Sequence, residues 1–394
     1  MKTVLKNTWI LDDRYSYELL DVLVEDDRIL CVGKDLQAER TIDLSGYTLL
    51  PGFIDAHIHI AVEAEGLSDE AMRAWARNGV TTVRELGMLN ALSAESFMDF
   101  LDARQSPEYA RVIRAGKYID VDGGYGCGPN PAVKVGIVIE TPEQAADAVT
   151  YQHGLGSDCI KIGIMDTAGP PGAVQGQRPR LTPNMVQAIC ERAHEHGMWV
   201  TAHLKTTETL KWLIPCGLDE AAHTPIDPLD EETIRAAAKK GVMFITTIGD
   251  PNRKPPPFIP PERLESFLAQ EKKNRETIIE NLKKLHAAGC LIAVGTDLIR
   301  SENFPRDASI PIHELAQLRQ AGLSQQEIIR CATVNGAKIC RIEKDEGSVA
   351  EGKRANLIAV RGKVEDDFSN LREPPFVMNR GEILKDPFDG TDHV

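Results

Sequence analysis

From residue 51 onward, short apolar runs alternate with amphipathic stretches, and this alternation limits the folds open to the chain more than any other feature. The runs are FIDAHIHI (53–60), TTVREL (81–86), RVIRAGKYI (111–119), CIKIGI (159–164), WVTAHL (199–204), EAAHTP (220–225), VMFITTI (242–248) and LIAVGTD (291–297). Stretches such as SDEAMRAWARNG, TPEQAADAVTYQHG, TPNMVQAICERAHEHG and DEETIRAAAKKG lie between them. Several open on Ser, Thr or Asp and close on Gly, the residues that cap helix ends. Strands separated by helices pair in parallel, and eight is the number that closes a (β/α)8 TIM barrel. The expected fold is therefore α/β.

Both ends of the chain read differently. Residues 1–50 carry period-2 patterning without a long helix, and NLIAVRG (356–362) and PFVMNRGEILK (375–385) are similar in style. The expectation is a small discontinuous β-sandwich domain built from 1–50 and 346–394, around a catalytic barrel of 51–345. Prolines at 251, 255, 256, 257, 260 and 261 exclude regular helix or central strand from 251–261. That segment follows the seventh strand and reads either as a stiff lid or as an irregular loop.

Charge and cysteine usage narrow the function. The 45 Lys and Arg against 59 Asp and Glu give a formal charge of −14, which disfavours nucleic acid and anionic membranes as partners. The eight cysteines form no C-x-x-C pair and suit a reducing, cytoplasmic setting. No apolar run reaches the roughly 18 residues of a membrane span. A small-molecule substrate is expected.

Chemistry concentrates at strand ends. His57 and His59, two apart on a strand, point to one face and can hold one metal. Lys161 lies inside an apolar strand, where an ammonium is costly to bury. It either snorkels to a carboxylate, stays neutral, or reacts with carbon dioxide to give a carbamate. His203 ends the fifth run, His223 the sixth and Asp297 the eighth. All would project into one barrel mouth.

PGFIDAHIHI, CIKIG, VTAHL, EAAHTP and VGTD resemble, in order, the metal-ligand motifs of the amidohydrolase superfamily. The chain is most similar to its imidazolonepropionase-like branch, which includes Xaa-Pro dipeptidase (prolidase)-like hydrolases. NGVTTVRELG and EGSVAEGKRANLIAV extend the resemblance to essentially the whole chain. It implies two divalent ions, zinc foremost, with manganese, iron or cobalt as alternatives. His57, His59 and Asp297 would hold the more buried ion, His203 and His223 the second, and Lys161, carboxylated by CO2, would bridge them. Lys117 is the lesser candidate for that lysine. A homo-oligomer is also implied.

Such a centre lowers the pKa of a shared water towards about 7, and Asp297 can pass its proton to the leaving amine. Asp297, Lys161 and His203 are the residues expected to carry catalysis. The expected reaction is hydrolysis of an amide C–N bond in a dipeptide or N-acyl amino acid. The alternatives are a lactam or lactone hydrolase and a one-metal deaminase. Deaminases of the superfamily show H-x-x-E at the fifth strand, whereas HLKTTE places Thr206 there and Glu208 two residues later. The branch's Gly-Gly-His segment reads GGYG here, and its Ser-Gly-Gly reads DTAGPPG. Tyr125, Arg178 and Arg180 are candidate substrate contacts. Asp120 and Asp122 could receive a substrate cation or serve in a turn, the turn role being the expectation, and the remaining histidines are structural.

Overall fold

A computed structural model describes residues 1–60, 67–88, 92–127, 136–164, 180–256, 259–298 and 308–388. Each of the eight apolar runs contains a strand. Three of them, β6 (Phe53–Ile58), β7 (Val80–Glu85) and β8 (Arg111–Arg114), form one parallel sheet. A second parallel sheet has the order β10 (Ile137–Val138), β9 (Ile119–Asp120), β11 (Ile160–Gly163), β12 (Val200–His203), β13 (Glu220–Ala221), β14 (Met243–Ile245) and β15 (Ile292–Ala293). Every residue of β6, β7, β11 and β12 is buried, as in sheets covered on both faces.

Hydrogen bonds join the two sheets at both edges. The Asp158 and Cys159 amides donate to the Arg114 carbonyl, linking β8 to β11 (2.7 and 3.3 Å). The Ala56 amide donates to Val294 O (2.9 Å) and the Asp297 amide to His57 O (2.8 Å), linking β6 to the chain leaving β15.

The third run is broken where a single strand is expected. Gly116 takes φ +70°, a left-handed conformation that ends β8 and lets the chain restart as β9. The small strand β10, which pairs with β9, has no counterpart among the eight runs.

Helices fall where caps predict them. Thr141, Thr182 and Asp230 accept the amides of Gln144, Met185 and Thr233 and start α3 (Pro142–Gly154), α4 (Pro183–Glu195) and α6 (Glu231–Lys240). Gly241, at φ +71°, ends α6. Around them stand α1 (Leu67–Arg77), α2 (Ala94–Asp102), α5 (Thr207–Leu213), α7 (Pro261–Ala287) and α8 (Ile312–Gln320). α7, a 27-residue helix, is entered through Pro260 and Pro261, so the proline-rich segment ends as a helix start.

The stretch QQEIIRCATVNGAKI is two helices, α9 (Gln325–Cys331) and α10 (Val334–Ile339). Between them the Ala332 carbonyl accepts the Ile54 amide of β6 (2.8 Å), and the Thr333 hydroxyl donates to Ile329 O (2.7 Å). An apolar cluster joins Ile54, Ile113, Ile245 and Ala293 of the strands to Ala337 and Ile339 of α10.

The terminal segments join in one sheet of eight strands. Its order is β18 (Glu382–Lys385), β17 (Phe376–Asn379), β16 (Leu357–Arg361), β5 (Tyr47–Pro51), β1 (Lys2–Leu11), β2 (Ser16–Glu25) and β3 (Arg28–Gly33). The remaining strand, β4 (Arg40–Asp43), pairs with the first half of β1, and β5 pairs with its second half, so the sheet forks at β1. All eight strands belong to this single forked sheet. It has its own core, including Leu5, Ile10, Leu49, Leu357 and Phe376. All eight cysteines are free thiols. Among the described residues no helix is long and apolar enough to cross a membrane.

Candidate metal centre

Parallel strands that share a direction present their C-terminal ends on one side, and the chemistry gathers there. His57 lies in β6 and His59 just beyond it. Lys161 lies in β11, His203 is the last residue of β12, and His223 and Asp297 follow β13 and β15. The rings are in sequence across the site: His57 and His59 at 5.2 Å between centroids, His57 and His223 at 4.8 Å, His203 and His223 at 4.5 Å.

The hydrogen bonds set the tautomers. His57 Nδ1 donates to Ala222 O and His59 Nδ1 to Gly87 O, both at 2.8 Å. An imidazole that donates through Nδ1 leaves Nε2 with a lone pair, the form a metal requires. Both Nε2 atoms face Asp297 Oδ1, at 3.3 Å from His57 and 3.1 Å from His59. Among the described residues these three form a trio whose ligand atoms lie within 4.8 Å of one another. His223 Nδ1 contacts Thr247 Oγ1 at 3.0 Å. Thr247 and Asp297 adopt φ of 39° and 53°, left-handed conformations that non-glycine residues hold only under local constraint.

Electrostatics keep the cluster ready for a cation. Burial, then the neighbouring Lys161, His223 and His59, push His57 well below its ordinary range. Burial does the same to His203, and it brings His223 to about 3. Burial alone would raise Asp297, but its contact with His59 and the proximity of His223, His59 and Lys161 hold it below the usual carboxylate range. Neutral imidazoles and an ionised carboxylate are what metal binding needs.

Lys161 is fully buried, and burial pushes its amine down to about 8 against the pull of Asp297 and Glu220. Nζ of Lys161 and Nε2 of His57 and His203 are buried without hydrogen-bond partners. Orphaned polar atoms converging on one spot fit a bound cation group.

Beneath the site lies a buried ion pair. Arg84 of β7 donates through Nη1 and Nη2 to Glu220 of β13 (2.8 and 2.5 Å) and through Nε to Ala56 O of β6 (2.8 Å). Thr201 of β12 donates its hydroxyl to Glu220 (2.7 Å). Asp55 accepts the Thr296 hydroxyl (2.7 Å) and the amides of Thr296 and His57 (both 3.1 Å), and burial raises it to about 7.

Of the substrate candidates, Tyr125 enters the site, its ring stacked on His203 at 3.8 Å. Arg180 is exposed, with its guanidinium 5.8 Å over the Trp212 ring of α5. Arg178 lies outside the described residues. Lys117 is half-buried between β8 and β9, and its charge bears on Glu95 of α2. Asp120 accepts the amides of Val121 and Gly126, a turn role. His194 pairs with Asp219, and His286 with Glu327, away from the cluster.

Three side chains at the site escape sequence reasoning. Asp55 is one. Glu85, at the end of β7, is buried, and burial raises its carboxyl to about 8 despite the nearby Lys161. Tyr118 stacks over His59 at 6.3 Å, and burial, foremost, holds its phenol well above the ordinary range. The acid two residues before His57 is the one signal that points to any of them.

Residues 48–387 match the amidohydrolase family. The chain is 23% identical to a 5-methylthioadenosine/S-adenosylhomocysteine deaminase of Thermococcus sibiricus, covering 91% of this chain and 85% of that protein. It is 24% identical to an imidazolonepropionase of Cutibacterium acnes, covering 86% and 83%. A solved structure of a Xaa-Pro dipeptidase with methionine bound in its active site superposes with a TM-score of 0.80, at 26% identity, over 98% of this chain and 100% of that one.

Proposed function

The chain belongs to the amidohydrolase family, enzymes that hydrolyse carbon–nitrogen bonds, and on that premise we propose that it cleaves a linear amide, in a dipeptide or an N-acyl amino acid. The two parallel sheets are read as one closed (β/α)8 barrel, with residues 51–345 as the catalytic domain and 1–50 with 346–394 as the composite β domain. His57, His59 and Asp297 would hold one divalent ion and His203 and His223 a second, with a carboxylated Lys161 between them. Zinc suits imidazole with oxygen ligands. When bound, such ions supply Lewis-acid activation of water and of the scissile carbonyl.

The chain's own groups do the rest. The Ala222 and Gly87 carbonyls hold the His57 and His59 rings with Nε2 inward. Asp297, 36% exposed at the mouth, accepts the proton of the attacking water and returns it to the departing nitrogen. An amine leaves poorly unless protonated, so this return is required for C–N cleavage.

The observation that carries the reading is the buried, unpartnered amine of Lys161 among these histidines. A one-metal deaminase has less support: Thr206 caps α5, and Glu208 is exposed. The similarity to a Xaa-Pro dipeptidase supports a substrate with an amino acid on one side of the amide. The test is metal analysis, together with a panel of dipeptides, N-acyl amino acids, lactams and lactones assayed with zinc and bicarbonate. Turnover of linear amides with two ions per chain is expected. Turnover confined to lactams or lactones, or a single ion, rejects the reading.

A further inference from the structure

We propose that Tyr118 is a catalytic residue, its phenol donating a hydrogen bond to the oxyanion that develops when the substrate carbonyl is attacked. This deepens the amide-hydrolase reading and rests on it. As the nucleophilic oxygen bonds to the carbonyl carbon, the C=O π pair moves onto oxygen. Tyr118 stabilises that charge without giving up its proton.

The placement is built into the fold. The Tyr118 side chain is buried, with its ring stacked over His59, edge-on to Tyr125 at 5.7 Å, and 5.9 Å from Lys161 Nζ. It therefore lies beside both the His59–Asp297 group and the lysine. Two glycines clear its seat. A Cβ on Gly87, at φ +115°, would fall 2.2 Å from the ring, and one on Gly126 would fall 2.6 Å from Tyr118 Cβ. A phenylalanine would fill this space equally well, so packing does not account for the hydroxyl.

The Tyr118 side chain is buried, and among the described residues no structural hydrogen bond claims its hydroxyl. A donor held in advance beside the place where charge develops is the arrangement that contributes most in acyl transfer.

The test compares wild type with Tyr118→Phe on whichever carbonyl substrate the wild type turns over, together with binding of a phosphonate mimic of the tetrahedral species. The expected loss in kcat is about 10²- to 10³-fold. KM should stay within about threefold, phosphonate affinity should fall in parallel with kcat, and metal content should not change. A kcat within about fivefold of wild type overturns the proposal, as does a loss of rate that follows a loss of metal or leaves phosphonate affinity intact. Wild type active on lactams or lactones alone rejects the linear-amide reading yet leaves Tyr118 testable there, since each forms the same oxyanion. Wild type inert to every carbonyl substrate overturns both.

Discussion

Replacing Arg84 with Met should make the stability of the protein depend on pH in a way the wild type does not. Arg84 and Glu220 are both fully buried, and Arg84 gives Glu220 two of its hydrogen bonds. Methionine fills much of the same volume but leaves the carboxylate with the Thr201 hydroxyl and no counter-charge. Stranding one member of a buried pair costs about 3–5 kcal/mol. The carboxylate can escape this by taking up a proton, and an ordinary glutamate gives one up above about pH 4.3, at about 1.4 kcal/mol per pH unit.

The folded variant then holds a proton that the unfolded chain releases, so stability falls as pH rises. The destabilisation should be about 1.6 kcal/mol at pH 5.5 and about 4.4 kcal/mol at pH 7.5. Urea unfolding of variant and wild type in parallel at both pH values measures the difference. Adding Glu220→Gln should abolish the pH-dependent part. An equal destabilisation at both pH values, or one below about 1 kcal/mol at pH 7.5, would refute the reasoning.

Three further outcomes are expected. Metal-depleted protein should be reactivated by zinc, at a fixed concentration of dissolved carbon dioxide, at a rate that climbs about tenfold per pH unit up to about 8 and then levels, because only the neutral Lys161 amine attacks carbon dioxide; the time course of recovered activity reads this, and a flat profile under those conditions speaks against a carbamate. Gly87→Ala should cost about 1–3 kcal/mol in thermal unfolding, with a fall in kcat, since its positive φ and the Tyr118 ring both reject a Cβ; unchanged melting and rate would contradict it. Asp55, raised to about 7 when folded, contributes stability that is present below about pH 4 and lost as pH rises to about 7. Asp55→Asn should therefore gain on the wild type across that interval, and parallel stability curves would count against it.

The parts of the molecule that obey a period were legible from residues alone. Two histidines two apart on a strand must share a face, and a lysine inside CIKIGI needs a chemical reason, so His57, His59 and Lys161 stand out before any coordinates. The strands were legible for the same reason. Tyr118 and Glu85 were not, because one polar residue at the edge of an apolar run looks like the end of the run. Nor was the division between α9 and α10, since the Ala332 carbonyl is claimed by an amide from β6, nearly three hundred residues away in sequence. α7 was hidden by its long polar surface, which carries too few apolar positions to mark a face. The fork at β1 follows from pairings with two strands at once, which no local pattern records.

The sheet shared by the two ends of the chain has a consequence for synthesis. β5, whose five residues are all buried, finds its antiparallel neighbour in Leu357–Arg361, so a nascent chain carries this strand with one edge open while about three hundred more residues are made. Open edges recruit whatever strand is near, including the same segment on an adjacent polysome-bound chain. Yield in a cell should therefore depend on how well chaperones shield the first fifty residues, and a deletion that removes β16 should appear in inclusion bodies even though every strand of the two parallel sheets is intact.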